Sequence, residues 1–434
     1  LFVAVALLLG IPSAVEAADD DTSLTLARAL AMSLERSPDL AAFSWEIRAA
    51  EARLLQAGLR PNPELSVEAE DVTGTGAFKN GDDAQRTVQL SQLVELGGKR
   101  RARVEEAEAG RDIAEWEYQI RRVAVLKETT LAFIDVLAAQ RRLELAEEAF
   151  ALSKNAIPLT QKRVEVGQAP LVEATRANVA AASARIGVYQ AQRQLQIARG
   201  HLAAQWGAKT ATFGRAAGGL DHLHPVPSIE TLRARLFANP QLTRWNAERE
   251  KRAAALRTAQ AKGVPDLSVA AGPRLIGRGA EVTLGTVGVS IPLPLFDRNQ
   301  GQIAAARADL ARTDPEQRAV EARAFAALNE AHQTLLRTAD EVKILNETVL
   351  PGATTAVEQL VAGYETGRVT QLEILEARRT LTDARSQHLR ALADYHKALA
   401  EIDALTARPS AFSEETSARS KKTRLLSKRP APRK

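Results

Sequence analysis

Cysteine is absent from all 434 residues, which excludes disulfide staples and thiolate-held metal within the chain. No acylated cysteine is available either, so any anchoring is expected to rest on the fold. Aromatic residues are scarce at 4% while hydrophobic ones reach 45%, so the apolar content is chiefly alanine and leucine, the composition of long, closely packed helices. Beyond the first residues no stretch approaches the ~20 apolar residues that a membrane helix needs. A membrane crossing would have to use strands. The 6 histidines are scattered, and no Gly-x-Ser-x-Gly or HExxH constellation occurs. Enzymatic chemistry is not expected, nor is a cofactor or a resident metal.

The opening run LFVAVALLLG is too short to span a bilayer and is followed by small residues at Ala17 and Ala18. Residues 1–18 therefore read as a signal peptide, N-terminally incomplete because no Met precedes it. The net charge of +5 is uneven: residues 408–434 carry +7, leaving −2 for everything before them. That stretch is expected to be a basic, disordered tail, and nucleic-acid binding does not follow from the overall basicity.

What the chain does contain is an internal repeat. Ser37-Pro38-Asp39-Leu40 recurs as Asn239-Pro240-Gln241-Leu242, and NPELSV at 62–67 as VPDLSV at 264–269, both at an offset of 202. Thr87-Val88 with Ser91 recurs as Thr286-Val287 with Ser290 at 199, and Glu165-Val166-Gly167 with Glu173 as Glu365-Thr366-Gly367 with Glu373 at 200. Offsets this steady mark a duplicated architecture whose main length difference lies in one loop, 73–84 against 275–281. The expected units are a first repeat over 24–208, an equatorial connector over 209–228 and a second repeat over 229–407.

Within each unit the apolar period switches. Leu65, Val67 and Ala69 alternate with Ser66, Glu68 and Glu70; Val88 and Leu90 alternate with Thr87, Gln89 and Ser91. Leu267, Val269 and Ala271 alternate likewise, and in 282–291 a phase slip between Leu284 and Val287 suggests a bulge at Gly285. Strand hairpins are thus expected over 63–94 and 265–291. Long helical hairpins are expected over 98–207 and 298–407, with Ile113, Trp116, Ile120 and Val123 spaced three and four apart. Residues 229–262 read as one shorter helix, and Pro158, Pro315 and Pro351 should kink their rods. Gly97, Gly98, Pro292 and Pro294 mark strand-to-helix corners. Four strands are too few to close a barrel, so open edges in a bilayer would require closure between copies.

Three segments carry a resemblance: ELGGKR at 95–100, QAGLRPNPELS at 56–66 and IPLPLFDRNQG at 291–301. The chain resembles the TolC-type outer-membrane efflux proteins, specifically their CzcC-like cation-efflux branch, over about residues 24–407. The resemblance implies a mainly α fold with a membrane β-barrel: a homotrimer with a twelve-stranded barrel and a long antiparallel helical barrel in the periplasm. It also implies a periplasmic adaptor and an inner-membrane proton-driven pump as partners, with outer-membrane lipid around the strands.

The turns at Gly167 and Gly367 then become the periplasmic tip, and the resemblance places Glu173, Tyr364, Arg368, Glu373 and Glu376 at the aperture. Ordinary helix-surface charges are the plainer reading of the same residues. Asp221, His222 and His224 could suit Zn²⁺ chemically, but they lie in a Pro-rich connector without a fourth partner and read as surface residues. Gly97-Gly98-Lys99 lacks the spacing of a phosphate loop. Passive export of heavy-metal cations is the expected function. A drug or solvent duct of the same family, or a non-channel periplasmic coiled-coil protein, remains an alternative.

Overall fold

The computed structural model describes residues 23–73, 75, 84–277, 279–366 and 368–407. The signal-peptide segment, the basic tail, Gly367 and most of loop 73–84 lie outside them.

Helix dominates. After a short strand β1 (Ser23–Thr25) come α1 (Leu26–Arg36) and α2 (Pro38–Ala57), broken where Pro38 takes the first helical position. Strands β2 (Glu64–Glu70) and β3 (Gln85–Val94) form the first hairpin. The chain then enters α3 (Lys99–Glu165), whose 67 residues make a rod of about 100 Å. It runs through Pro158, so that proline does not end it. Helix α4 (Leu171–Ala204) returns alongside it, and β4 (Arg215–Ala217) pairs parallel with β1.

The second unit begins with three helices, α5 (Ile229–Leu236), α6 (Pro240–Thr243) and α7 (Trp245–Lys262), where one had been expected. Asn239 caps α6 by accepting from the Gln241 N–H at 2.8 Å, and Pro240 supplies the helix start, so a new helix nucleates there. Strands β5 (Leu267–Ile276) and β6 (Val282–Ser290) form the second hairpin. Then follow α8 (Gln300–Ile344), a π turn over Leu345–Val349, α9 (Leu350–Glu365) and α10 (Gln371–Leu405). The π turn sits just before Pro351, which has no N–H to donate; widening the hydrogen-bond ring there keeps the rod continuous.

The hairpins join in one antiparallel sheet of order β2-β3-β5-β6. The helices below repeat that order, α2 packing on α3, α3 on α7 and α7 on α8. Strand β6 pairs with β5 without interruption from Ser290 to Val282, so the expected bulge at Gly285 is absent. The phase slip has another origin: Val282 and Leu284 simply lie on the opposite sheet face from Val287 and Val289.

The core lies midway along the rods. Phe133, Ile134, Val136, Leu202 and Leu26 are buried together where α3, α4 and α1 meet. A second cluster of Leu232, Leu236, Leu328, Leu335 and Tyr395 joins α5, α8 and α10. Polar side chains pin the connector onto this waist. Gln140 donates to the Ala216 carbonyl at 3.1 Å and accepts from its N–H at 2.7 Å, and the Tyr395 hydroxyl donates to the His224 carbonyl at 2.6 Å. Among the described residues, no helix is long and apolar enough to cross a membrane.

Candidate functional site

Directly opposed residues of an antiparallel pair point to one side of the sheet, so the registers sort its side chains. Leu65 opposes Leu90, Leu90 opposes Ala271 and Ala271 opposes Val287. With Val67, Val88, Val269 and Val289 they make one apolar face. The other face carries Glu64, Ser66, Glu68 and Glu70 of β2, Thr87, Gln89 and Ser91 of β3, and Ser268, Thr286 and Ser290 beyond. The apolar face is uncovered, with Val67 71% and Val287 79% exposed. Among the described residues its edges, β2 and β6, are unpaired.

The corners are set by backbone shape. Gly97 and Gly98 adopt φ of +66° and +72°, the left-handed region where glycine carries no steric cost. Gly97 has a second reason to stay glycine, since a Cβ would lie 2.6 Å from that of Val264. The corner is clamped as Lys99 Nζ meets Asp266 at 2.7 Å and the Leu96 N–H donates to the same carboxylate at 3.0 Å. Pro292 and Pro294 stand in the irregular stretch between β6 and α8.

The far ends of the rods hold the other sequence-predicted residues. Gly167 (φ +74°) turns α3 into α4, with the Gln168 N–H reaching back to the Arg163 carbonyl at 2.8 Å. Glu173 lies in the first turn of α4, and its Oε2 is enclosed without a hydrogen-bond partner. At the second tip the Arg368 N–H closes the turn onto the Gly363 carbonyl at 2.9 Å, while its side chain is exposed. Glu373 belongs to a capping box: it accepts from the Thr370 N–H at 2.7 Å and the Thr370 hydroxyl at 2.8 Å. Those bonds, the backbone one foremost, hold its carboxyl below the usual glutamate range. Glu376 is exposed one turn along.

Tyr364 is the residue the tertiary structure joins to something distant. The Arg163 guanidinium lies 4.0 Å from its ring centroid and donates to its carbonyl at 3.1 Å. Beside them Thr160 donates to buried Gln371 at 3.3 Å. This tie fastens α3 to α9 and α10. Sequence reading missed Arg163, Thr160 and Gln371, which carry no local signal; the Thr370-x-x-Glu373 box was visible and went unread. Among the described residues no group of metal-binding side chains occurs, and His224 serves through its carbonyl.

This geometry matches solved membrane channels. The fold aligns with the crystal structure of CusC, described as forming a transmembrane channel, with a TM-score of 0.75 over 90% of this chain and 93% of that one; at 16% identity this is a likeness of fold. The sequence pattern of the outer membrane efflux protein family matches residues 29–208 and 232–408, and the chain belongs to that family. It is 32% identical over 369 residues to the cobalt-zinc-cadmium resistance protein CzcC of Cupriavidus metallidurans, covering 85% of this chain and 86% of that protein. The nickel-cobalt-cadmium resistance protein NccC of Alcaligenes xylosoxydans xylosoxydans is 29% identical over 70% of this chain and 68% of its own length.

Proposed function

We propose that this chain is the outer-membrane duct of a tripartite export assembly, conducting heavy-metal cations that an inner-membrane proton-driven pump delivers through a periplasmic adaptor. One observation carries the reading: a single sheet has an apolar face, a polar face and two open edges. In lipid each unpaired edge group would cost several kcal/mol, so closure into a ring relieves both edges at once. Three copies give a twelve-stranded barrel, above the eight-strand minimum, with the polar face lining the lumen. The rods extend about 100 Å beneath it, the reach of a periplasmic tube. The outer membrane is the location, and no reaction is catalysed.

The resistance functions in the names of CzcC and NccC support a metal cargo. Glu64, Glu68 and Glu70 outnumber Arg274 on the polar face, leaving a negative field that favours cations. Deleting the gene should sensitise cells to cobalt, zinc or cadmium, with restoration by the intact chain. Sensitivity to drugs or solvents alone would replace the cargo, and recovery of the protein solely in the soluble periplasm would remove the duct. Replacing Glu173 and Glu373 together with Ala should lower cation preference or raise leak conductance in planar bilayers. Unchanged conductance and selectivity would take both residues out of the aperture.

A further inference from the structure

Two exposed apolar patches lie just below the open edges of the sheet. On the β6 side, Leu293, Leu295 and Phe296 are 74%, 67% and 90% exposed. On the β2 side, Leu55 and Leu59 are 72% and 50% exposed. Among the described residues nothing covers either patch.

The registers place the patches near one level. Glu64 opposes Ser91, Ser91 opposes Ala270 and Ala270 opposes Gly288, a line straight across the sheet. Leu59 is five residues below that line at one edge, and Phe296 eight below it at the other. The second stretch is shortened because it folds back on itself. The Leu295 N–H donates to the Leu293 carbonyl at 2.8 Å, and Arg298 Nε to the Pro294 carbonyl at 3.1 Å. Gln300 also donates to the Phe296 carbonyl at 3.1 Å, so the corner is held in shape. Below it, the helix layer α2-α3-α7-α8 has α2 at one end and α8 at the other, on the same two sides, with α10 also packed on α8. Closure that brings β6 of one copy to β2 of the next puts both patches on that seam, offset along it by the stagger that a barrel requires.

We propose that Phe296, flanked by Leu293 and Leu295, is a knob that seats on Leu55 and Leu59 of the neighbouring copy and locks the ring below the membrane. The inference rests on the ring reading above but goes beyond it by naming the contact. It commits to a second copy of this chain as the occupant; lipid is the competing one.

The absence of cysteine makes the test clean. The double variant Leu59→Cys with Phe296→Cys, treated with a short bifunctional thiol linker, should give covalent dimers and trimers on denaturing gels. Each single variant should stay monomeric there while remaining trimeric by native mass spectrometry. Monomers alone from a trimeric double variant would overturn the knob and leave the ring standing. A wild-type chain without trimers would instead overturn the ring reading itself. An environment-sensitive dye on Phe296→Cys, in bilayers of brominated phospholipid, should escape quenching while the same dye on Val287→Cys is quenched. Strong quenching at both positions would assign the corner to lipid and overturn the proposal.

Discussion

The first and second copies of the helix, hairpin, helix unit share an architecture and differ where their neighbours differ. Strand β2 lies at the sheet edge, and its polar face carries Glu64, Glu68 and Glu70; its counterpart β5 lies between β3 and β6, with Ala270 and Gly272 in the places of Glu68 and Glu70, and Asp266, just before it, in that of Glu64. A Cβ on Gly272 would stand 1.8 Å from the Val88 carbonyl oxygen, so the central strand has no room for the side chain the edge strand keeps. The tips diverge too. Glu373 is spent on the Thr370 cap, whereas the matching turn starts at Pro170, which has no side chain able to cap. Arg163 and Tyr364 have Gly363 and Val164 as their counterparts, so the tie between α3 and α9 exists once. A duplicated unit keeps its length and yields its side chains to whatever packs beside each copy.

Substitutions can break this contrast. The largest effect is expected from Gly272→Ala, where the backbone of β3 must retreat at a cost of about 3 kcal/mol. Thermal unfolding of the purified protein, followed by circular dichroism, should begin at a lower temperature. Gly285→Ala on β6, where a Cβ meets nothing within 4 Å, should leave melting unchanged. Equal behaviour of the two would mean that the central strand is not the constrained one.

Next comes Arg163→Ala, which removes a cation–π contact and a charged hydrogen bond together. A loss of about 1.4 kcal/mol, within the range of such contacts, corresponds to a tenfold change in an equilibrium. Leak current through planar bilayers should therefore rise by roughly tenfold if the tie holds the tip closed. A variant no leakier than wild type would make the tie a packing contact only.

The smallest effect sharpens the difference between the tips. Thr370→Ala should cost about 1 kcal/mol of helix-start stability and speed amide exchange over the first turn of α10. Acid should do the same. The folded carboxyl of Glu373 titrates below its unfolded value. Its contribution is full above the unfolded value, near pH ~4.3, and fades as pH falls through the folded one. The start of α4 should show no matching loss. Acid fraying at both tips would remove the asymmetry.

Much of this was legible in the residues. Alternation in 65–70 and 87–94 exposed the strands and sorted their faces, because period 2 and period 3.6 leave different apolar patterns. Steady offsets near 200 pointed to two similar halves. The breaks at Ala238-Asn239-Pro240 were readable as a cap followed by proline, yet the helical pattern on both sides masked them. The π turn at Leu345–Val349 was legible only as a proline that needed accommodating. The expected Gly285 bulge is absent because apolar residues of this sheet do not keep to one face near the loop end, where Ile276, Val282 and Leu284 all lie on the polar side.

Local rules settled element type and, over most of each strand, which side is apolar, since these depend on residues a few positions apart. Only the tertiary structure decided that the hairpins share one sheet with β3 against β5. The same holds for Arg163 reaching Tyr364 across 201 positions and for the crowding at Gly272. Those depend on which distant segments pack together, and a chain pattern records only what its immediate neighbours require.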